Sequence, residues 1–439
     1  MRRGCGECHE QRAVVDSDIN YYSIAMGIIK NFEELVSHSE IPLRRTKTPE
    51  RKMVLEIIEA GLEAIQPENI IGKNVSLEGR TLKIKNASFD ISGFQNIFLL
   101  GFGKGSAKIS RLIEEILGER LTEGFVIDVA PIGPGSRIEA VLGTHPLPSQ
   151  TNLDFTKKVI DRFEQKLSEK DLVIVIVTGG GSALFELPHS LSLNELIKKN
   201  DELLKSGLTI TQMNEERKKL SKVKGGGLAK ILYPAKVVSL IFSDVPGNDL
   251  GTVTSGPTVK GVNATDDKYF QNVTNILVLN NDSALFAMMK KAEELGIYCS
   301  IFSNDFEADA EIAGKKLIGE TKPNSVLIAG GETHLKVTGG GKGGRNQHLV
   351  LSALNNLAIE QFSNTVIAAF DSDGWDNTEF AGAIGDVQTL KKAKDLNLDI
   401  QKYLNEHDSF SFFEKAGDGI ITGRLASNIS DLFVVYKFY

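Results

Sequence analysis

From about Thr48 onward, short apolar runs alternate with longer amphipathic ones. "TPERKMVLEIIEAGLEAI" places Val54, Ile57, Ile58, Leu62 and Ile65 at helical spacing behind a Thr-Pro start signal, which predicts a helix. "NIFLL", "GFVIDVA", "DLVIVIV" and "AKVVSLIF" have strand length, and the continuously apolar runs among them suit strands buried on both faces. "NILVL", "SVLIA", "NTVIAAF" and the closing "DLFVVYKFY" continue the series, with helical segments such as "NNDSALFAMMKKAEELG" between them. "SLNELIKKNDELLKSG" opens on a capping box from Ser192 to Glu195. This alternation predicts an α/β protein with mostly parallel sheets.

The polar stretch "VNATDDKYFQN" is the best boundary the sequence offers. The expected division is an N-terminal extension over residues 1–47 and a Rossmann-like domain over 48–270. A second α/β domain covers 271–430, and the last strand, 431–439, is free to return to the first. At 439 residues the chain is too long for one ordinary core.

Charge narrows the partners. The net charge of −7 provides no general field for nucleic acid or an anionic membrane, so any anion must be held by a local cluster. No run reaches the length of a membrane span, and the N-terminus has no signal-peptide core. Three cysteines, Cys5, Cys8 and Cys299, suit a reducing cytoplasm. Cys5, Cys8 and His9 fit a haem-attachment or partial zinc pattern. Without an export signal or a nearby fourth ligand, they read as part of a poorly ordered extension.

The chemistry lies in loops that follow strands, where open α/β sheets bind ligands. "GFGKGS" sets Lys104 at a helix N-terminus, a ready anion site. It lacks the Walker A pattern and only partly matches a dinucleotide fingerprint, with Asp128 as a distant ribose-binding carboxylate. "TGGGSA", residues Gly179, Gly180, Gly181 and Ser182 among them, has the composition of a phosphate-wrapping nest. "GGGKGGRN" adds Lys342, Arg345 and Asn346, and arginine's planar fork suits phosphate or carboxylate. "SDVPGND" and "DSDGWD" contribute Asp244, Asp249, Asp371, Asp373 and Asp376. Carboxylates facing phosphate call for a hard cation between them, or for one of them to act as a base. His145 in "GTHPLP" orders a turn or touches substrate. Lys224 ends a basic run whose other residues read as a solvated helix face. Trp375 packs on its own loop or on a ligand. Glycine nests, fixed cations and scattered aspartates describe phosphoryl transfer better than hydride transfer.

As a set, "VTGGGSAL", "NEERKKLSKVKGGGLA", "SDVPGNDLGTVTSGPT", "GGETHLKVTGGGKGGRNQHL" and "DSDGWDNTEFAGAIGD" resemble, in the same order, the class II glycerate 2-kinase family with its C-terminal MOFRL domain. The resemblance spans about Thr48 to Tyr439. It implies two α/β domains with the active site in the cleft between them. It also implies ATP- and Mg²⁺-dependent phosphorylation of the 2-hydroxyl of D-glycerate, with no nucleic acid or membrane partner; a homo-oligomer stays open. The family's motif residues fall on Lys104, Arg345, Ser243, Asp244, Glu332, Asp373 and Asp386. Lys104, Arg345 and Asp373 are the expected catalytic groups, and Asp373 and Asp386 the expected metal ligands. Substrate or nucleotide contacts are expected from the nest, Asp244, Glu332, Lys342, Asn346 and His145.

The chain departs from the family pattern at Asn248, in the acidic loop, and in "TGRLASN". In that last segment Arg424, Leu425 and Ala426 replace residues that would line the cleft, while Asn428 and Asp431 remain. These changes bear on the choice of hydroxy acid more than on the reaction. The competing readings are an NAD(P)-dependent hydroxypyruvate reductase, which needs Asp128 on a ribose, and a nucleotide-binding protein without catalysis.

Overall fold

The structure is a computed structural model that describes residues 27–38, 46–47, 49–131, 137–206, 210–245, 247, 249–261, 266–356 and 363–439. Cys5, Cys8, His9 and Asn248 lie outside the described residues. The first large sheet contains β1 (Asn96–Phe102), β2 (Glu123–Asp128), β3 (Ile138–Leu142), β4 (Asp171–Val177), β5 (Lys236–Phe242) and β6 (Val273–Leu279). Its spatial order is β6-β5-β4-β1-β2-β3, and every pairing is parallel. This is the strand order of dinucleotide-binding folds, as the Rossmann-like expectation required. All seven residues of β4 are buried, which explains why "DLVIVIV" carries no polar alternation. The order reverses between β1 and β4. The loops after these two neighbours therefore leave the sheet side by side and open a crevice.

The second sheet contains β7 (Tyr298–Asp309), β8 (Ser325–His334), β9 (Thr365–Asp371), β10 (Gly382–Gly385), β11 (Gly419–Ile420) and β12 (Asp431–Lys437). Its order is β7-β8-β12-β9-β10-β11. Only β7 and β8 pair in parallel; the other pairings are antiparallel, against the expectation of mostly parallel sheets. A three-stranded antiparallel meander covers Val75–Asp90.

Strand pairing also revises the expected division. Val273–Leu279, assigned to the second domain from residue 271, is an edge strand of the first sheet. The polar stretch before it is only the loop that leads into that edge. The last strand does not return to the first sheet. Residues Asp431–Val435 are buried on both faces, and β12 fills the slot between β8 and β9.

The N-terminal region is part of the fold too. Ile29, Leu35 and Val36 are buried, and Asn31 donates to the Gly419 carbonyl at 2.8 Å and accepts from Ile421 N–H at 2.9 Å. Helix α1 (Pro49–Ala64) packs on helix α2 (Asn281–Glu294) and on β9 and β12, so it adheres to the second sheet. One apolar cluster runs through α1, α2 and both large sheets, taking in Leu99 and Ile174 from one and Val326 and Val434 from the other. That shared core fixes the two sets of loops against each other.

Candidate active site at the junction of the two sheets

Two adjacent turns of the first sheet form one wall. After β1, Lys104 precedes helix α3 (Ser106–Leu117), and its N–H donates to the Gly179 carbonyl at 2.8 Å. Gly105 caps α3 in the left-handed region at φ +80°, and a Cβ there would collide with the Ala426 carbonyl of the other body. After β4, Gly179 lies so close to the Asp244 carboxylate that no Cβ fits between them. Among the described residues the N–H groups of Gly179 and Gly180 have no hydrogen-bond partner. Ser182 Oγ lies 3.1 Å from Ser255 Oγ, and Thr254 Oγ1 donates to the Thr178 carbonyl at 2.9 Å. Thr254 and Ser255 both adopt positive φ, at +51° and +59°. For a β-branched residue that is real backbone strain of the kind concentrated at functional sites. Nothing in "TVTSGPT" singles these two residues out. A Thr-Ser pair carries no glycine-like signal of positive φ.

His145 lies against Gly180 and keeps a solvent-facing edge. Partial burial, and then the Lys104 charge, push its imidazole down to about 4, so it is neutral at pH 7. Burial pushes the Asp244 carboxyl up to about 6; Lys104 opposes this shift and Glu332 adds to it. Lys224, at the end of the basic run, is buried in an ion pair with Glu186.

The second sheet supplies the facing wall. Helix α4 (Arg345–Asn356) begins at Arg345, and its first turn is held by the buried Asp376. Asp376 accepts from the Asn346 and Gln347 N–H groups at 3.1 and 2.8 Å. The Arg345 guanidinium makes a two-pronged contact with Asp431, Nε to Oδ2 at 2.7 Å and Nη2 to Oδ1 at 3.0 Å. It reaches Glu332 at 2.9 Å and Asp371 at 3.6 Å. These carboxylates raise its already high pKa further, despite burial. Asp373 joins the two walls: its Oδ2 lies 3.6 Å from Lys104 Nζ, and its N–H donates to Asp371 Oδ1 at 3.0 Å. Burial, then Asp431 and Asp373, drive the Asp371 carboxyl well above the usual carboxylate range. The junction therefore gathers Asp244, Glu332, Asp371, Asp373 and Asp431 around the cations Lys104 and Arg345.

Three expected participants lie elsewhere or serve the framework. Lys342 pairs with Glu379 at 2.6 Å and sits 3.7 Å over the Phe410 ring. The glycines around it let the loop lie on residues 406–409: Gly339 N–H donates to His407 Nδ1, Gly341 N–H to the Glu406 carbonyl and Lys342 N–H to Asp408. Those three N–H groups are taken up by the protein itself. Asn346 is fully buried and donates to Asp431 at 2.7 Å, a framework contact.

Asp386, expected as a metal ligand beside Asp373, is the N-cap of helix α5 (Val387–Asp395) and is consumed by the fully buried Arg51. Arg51 also binds Asp418 at 2.7 Å, and the cluster ties α1 to the second sheet. Its carboxylate partners lie more than 300 residues away in the chain, so no local pattern announces it. A cavity of about 490 Å³ lined by Glu311, His348, Ser352, Gln401 and His407 lies apart from the junction and gathers none of its cations or aspartates.

A doubly wound parallel sheet, joined to a mixed sheet across a charged junction, defines a two-body α/β enzyme architecture. Comparison with known proteins places it more closely. Residues 53–283 match the family described as a domain of unknown function (DUF4147), and residues 325–431 match the MOFRL family. The chain is 31% identical to D-glycerate 2-kinase of Thermotoga maritima, over 88% of this chain and 97% of the relative. It is also 31% identical to glycerate 2-kinase of Pyrococcus horikoshii, over 88% and 96%. The crystal structure of glycerate kinase from Thermotoga maritima superposes with a TM-score of 0.76 at 29% identity, covering 88% of this chain and 99% of that one. The chain belongs to the class II glycerate 2-kinase family.

Proposed function

We infer that this chain is a kinase that transfers the terminal phosphoryl group of ATP to the 2-hydroxyl of D-glycerate, giving 2-phospho-D-glycerate. The observation that carries this reading is the meeting of Lys104, from the first sheet, with Asp373, Asp371 and Arg345 of the second. Phosphoryl transfer asks a protein mainly to position two anionic substrates and to stabilise charge on the transferred group. Arg345, braced by Asp431, would stabilise that charge. Lys104 and the open N–H groups of Gly179 and Gly180 would orient a carboxylate or phosphate. As the glycerate 2-hydroxyl oxygen attacks phosphorus and the bond to the ADP oxygen breaks, the hydroxyl proton would pass to Asp244. With its carboxyl near 6, Asp244 is ionised at pH 7 yet more basic than an ordinary aspartate.

The residues present fit Mg²⁺. The surplus of carboxylates beside Asp371 is a charge imbalance that a dication would relieve. Among the described residues no group of three or more His, Cys, Asp or Glu side chains is arranged to hold a metal ion by itself. Asp373 and Asp371 would hold it, and when bound it would neutralise phosphate charge.

The reductase reading finds no support in the geometry. Asp128 is 1% exposed, and its carboxylate accepts from Ala107 N–H at 2.9 Å and Val129 N–H at 2.6 Å, so it anchors α3 and cannot reach a ribose. Among the described residues no helix is long and apolar enough to cross a membrane, and a cytoplasmic location belongs to the same proposal. A coupled assay with D-glycerate, ATP and Mg²⁺ tests the reading. ADP formation should require glycerate and fall by about 10²-fold or more in Lys104→Ala. ADP release that ignores glycerate would refute it.

A further inference from the structure

Lys104 and Arg345 both face carboxylates, whereas two cations beside them do not. The Arg424 guanidinium carbon sits 4.0 Å over the Trp375 ring. Among the described residues Arg424 has no carboxylate within ion-pair distance and no side-chain hydrogen bond. The stack is tied to the site on both sides, since Trp375 N–H donates to Asp373 Oδ1 at 3.0 Å and Leu425 N–H to the Asp373 carbonyl at 2.8 Å.

Lys30 comes from the N-terminal region. Its own N–H donates to the Ile421 carbonyl at 2.7 Å, and its Nζ lies 2.5 Å from where a Cβ on Gly423 would stand. It too has no carboxylate partner among the described residues. Gly423, at φ +72°, thus has one unpaired cation beside it in space and another next to it in sequence, both solvent-exposed. A guanidinium stacked on an indole keeps its hydrogen-bond donors pointing outward while its own freedom is already restricted. That is the arrangement that favours a two-pronged contact with an oxyanion.

We infer that Lys30 and Arg424 form an oxyanion-binding rim on the Asp373 side of the junction, and that Arg424 is a specificity-determining residue for the substrate bound there. The inference rests on the kinase reading, under which both substrates bring oxyanions: the carboxylate of the hydroxy acid and the phosphates of the nucleotide.

The test uses the full chain with Arg424→Met, Lys30→Met and the double variant, each measured for kcat and KM with D-glycerate and with ATP. Trp375 is the one tryptophan, so its fluorescence reports ligand at the rim directly. The double variant should raise one of the two KM values by about tenfold or more with kcat within about threefold, and Arg424→Lys should recover part of the loss. A rise for D-glycerate assigns the rim to the carboxylate, and a rise for ATP assigns it to phosphate. Both KM values within about twofold of the parent would overturn the inference. If the parent chain does not phosphorylate D-glycerate, the kinase reading falls instead. Titration of Trp375 fluorescence with sodium phosphate and with acetate then decides. A saturable response lost in the double variant keeps the rim, and no response removes it.

Discussion

The five residues Val-Thr-Gly-Gly-Gly occur twice, at 177–181 and at 337–341, and the structure uses them in opposite ways. The first copy ends β4 at the crevice of a parallel sheet. There Gly179 and Gly180 keep N–H groups that are unpaired among the described residues, beside Lys104, Asp244 and His145. The second copy lies along residues 406–409 of its own body and has bonded the N–H groups of Gly339 and Gly341 to them. Glycine makes room for close approach in both, but the approaching partner is open space for a ligand in one case and protein in the other. Composition reports the room and not the partner.

The variants that follow break or sharpen that contrast, beginning with the largest expected effect. Arg345→Ala should lower turnover on the order of 10³-fold, as charge-stabilising arginines in phosphoryl transfer do; a loss under about tenfold would remove it from that role. Gly179→Ala pushes a methyl group into Asp244 and should cost turnover roughly 10²-fold. Gly341→Ala collides instead with Glu406 and Asp408, and should cost about 1–3 kcal/mol of stability while turnover per folded molecule stays near the parent value. Denaturant titration alongside initial rates separates the two. If Gly341→Ala lost activity at full stability, the second loop would be a ligand site after all.

The pH response of Asp244 gives a smaller effect with a definite sign. Its folded pKa, about 6, lies above the ordinary aspartate value of about 3.9, so the folded chain binds this proton more tightly than the unfolded chain. Its stabilising contribution is fully present below about pH 4 and is lost as pH rises through about 6. Between pH 7 and pH 5 the parent should therefore gain on the order of 1 kcal/mol relative to Asp244→Asn, read from parallel unfolding curves. A difference that does not change with pH would mean that Asp244 is not held as described. Smallest of all, Lys342→Ala should change turnover less than about twofold, because Glu379 and Phe410 occupy its side chain away from the junction.

Much of this was legible in the chain. The first sheet announces itself because strands buried on both faces read as unbroken apolar runs, and the capping box at Ser192 appears as expected. The direction of β12 did not show, because a fully buried strand has the same pattern whether its neighbours run parallel or antiparallel to it. Lys104, Asp373 and Arg345 could be picked out because loops at strand ends collect chemistry in α/β folds. Lys342 reads as a ligand contact three residues from Arg345, whereas Glu379 and Phe410 take its side chain. Asp386 looked like a neighbour of the acidic loop, whereas its partner Arg51 is 335 residues distant in the chain. In each case the missing information was a long-range contact, which no local pattern contains.

The most direct test of the central claim, that the junction positions a nucleotide's phosphoryl group against the 2-hydroxyl of glycerate, is the identity of the product. Phosphorus NMR of the reaction of D-glycerate with ATP and Mg²⁺ should show 2-phospho-D-glycerate with the parent chain and no such signal with Arg345→Ala. Product phosphorylated at the 3-hydroxyl, or a 2-phosphorylated product that persists undiminished in Arg345→Ala, would contradict it.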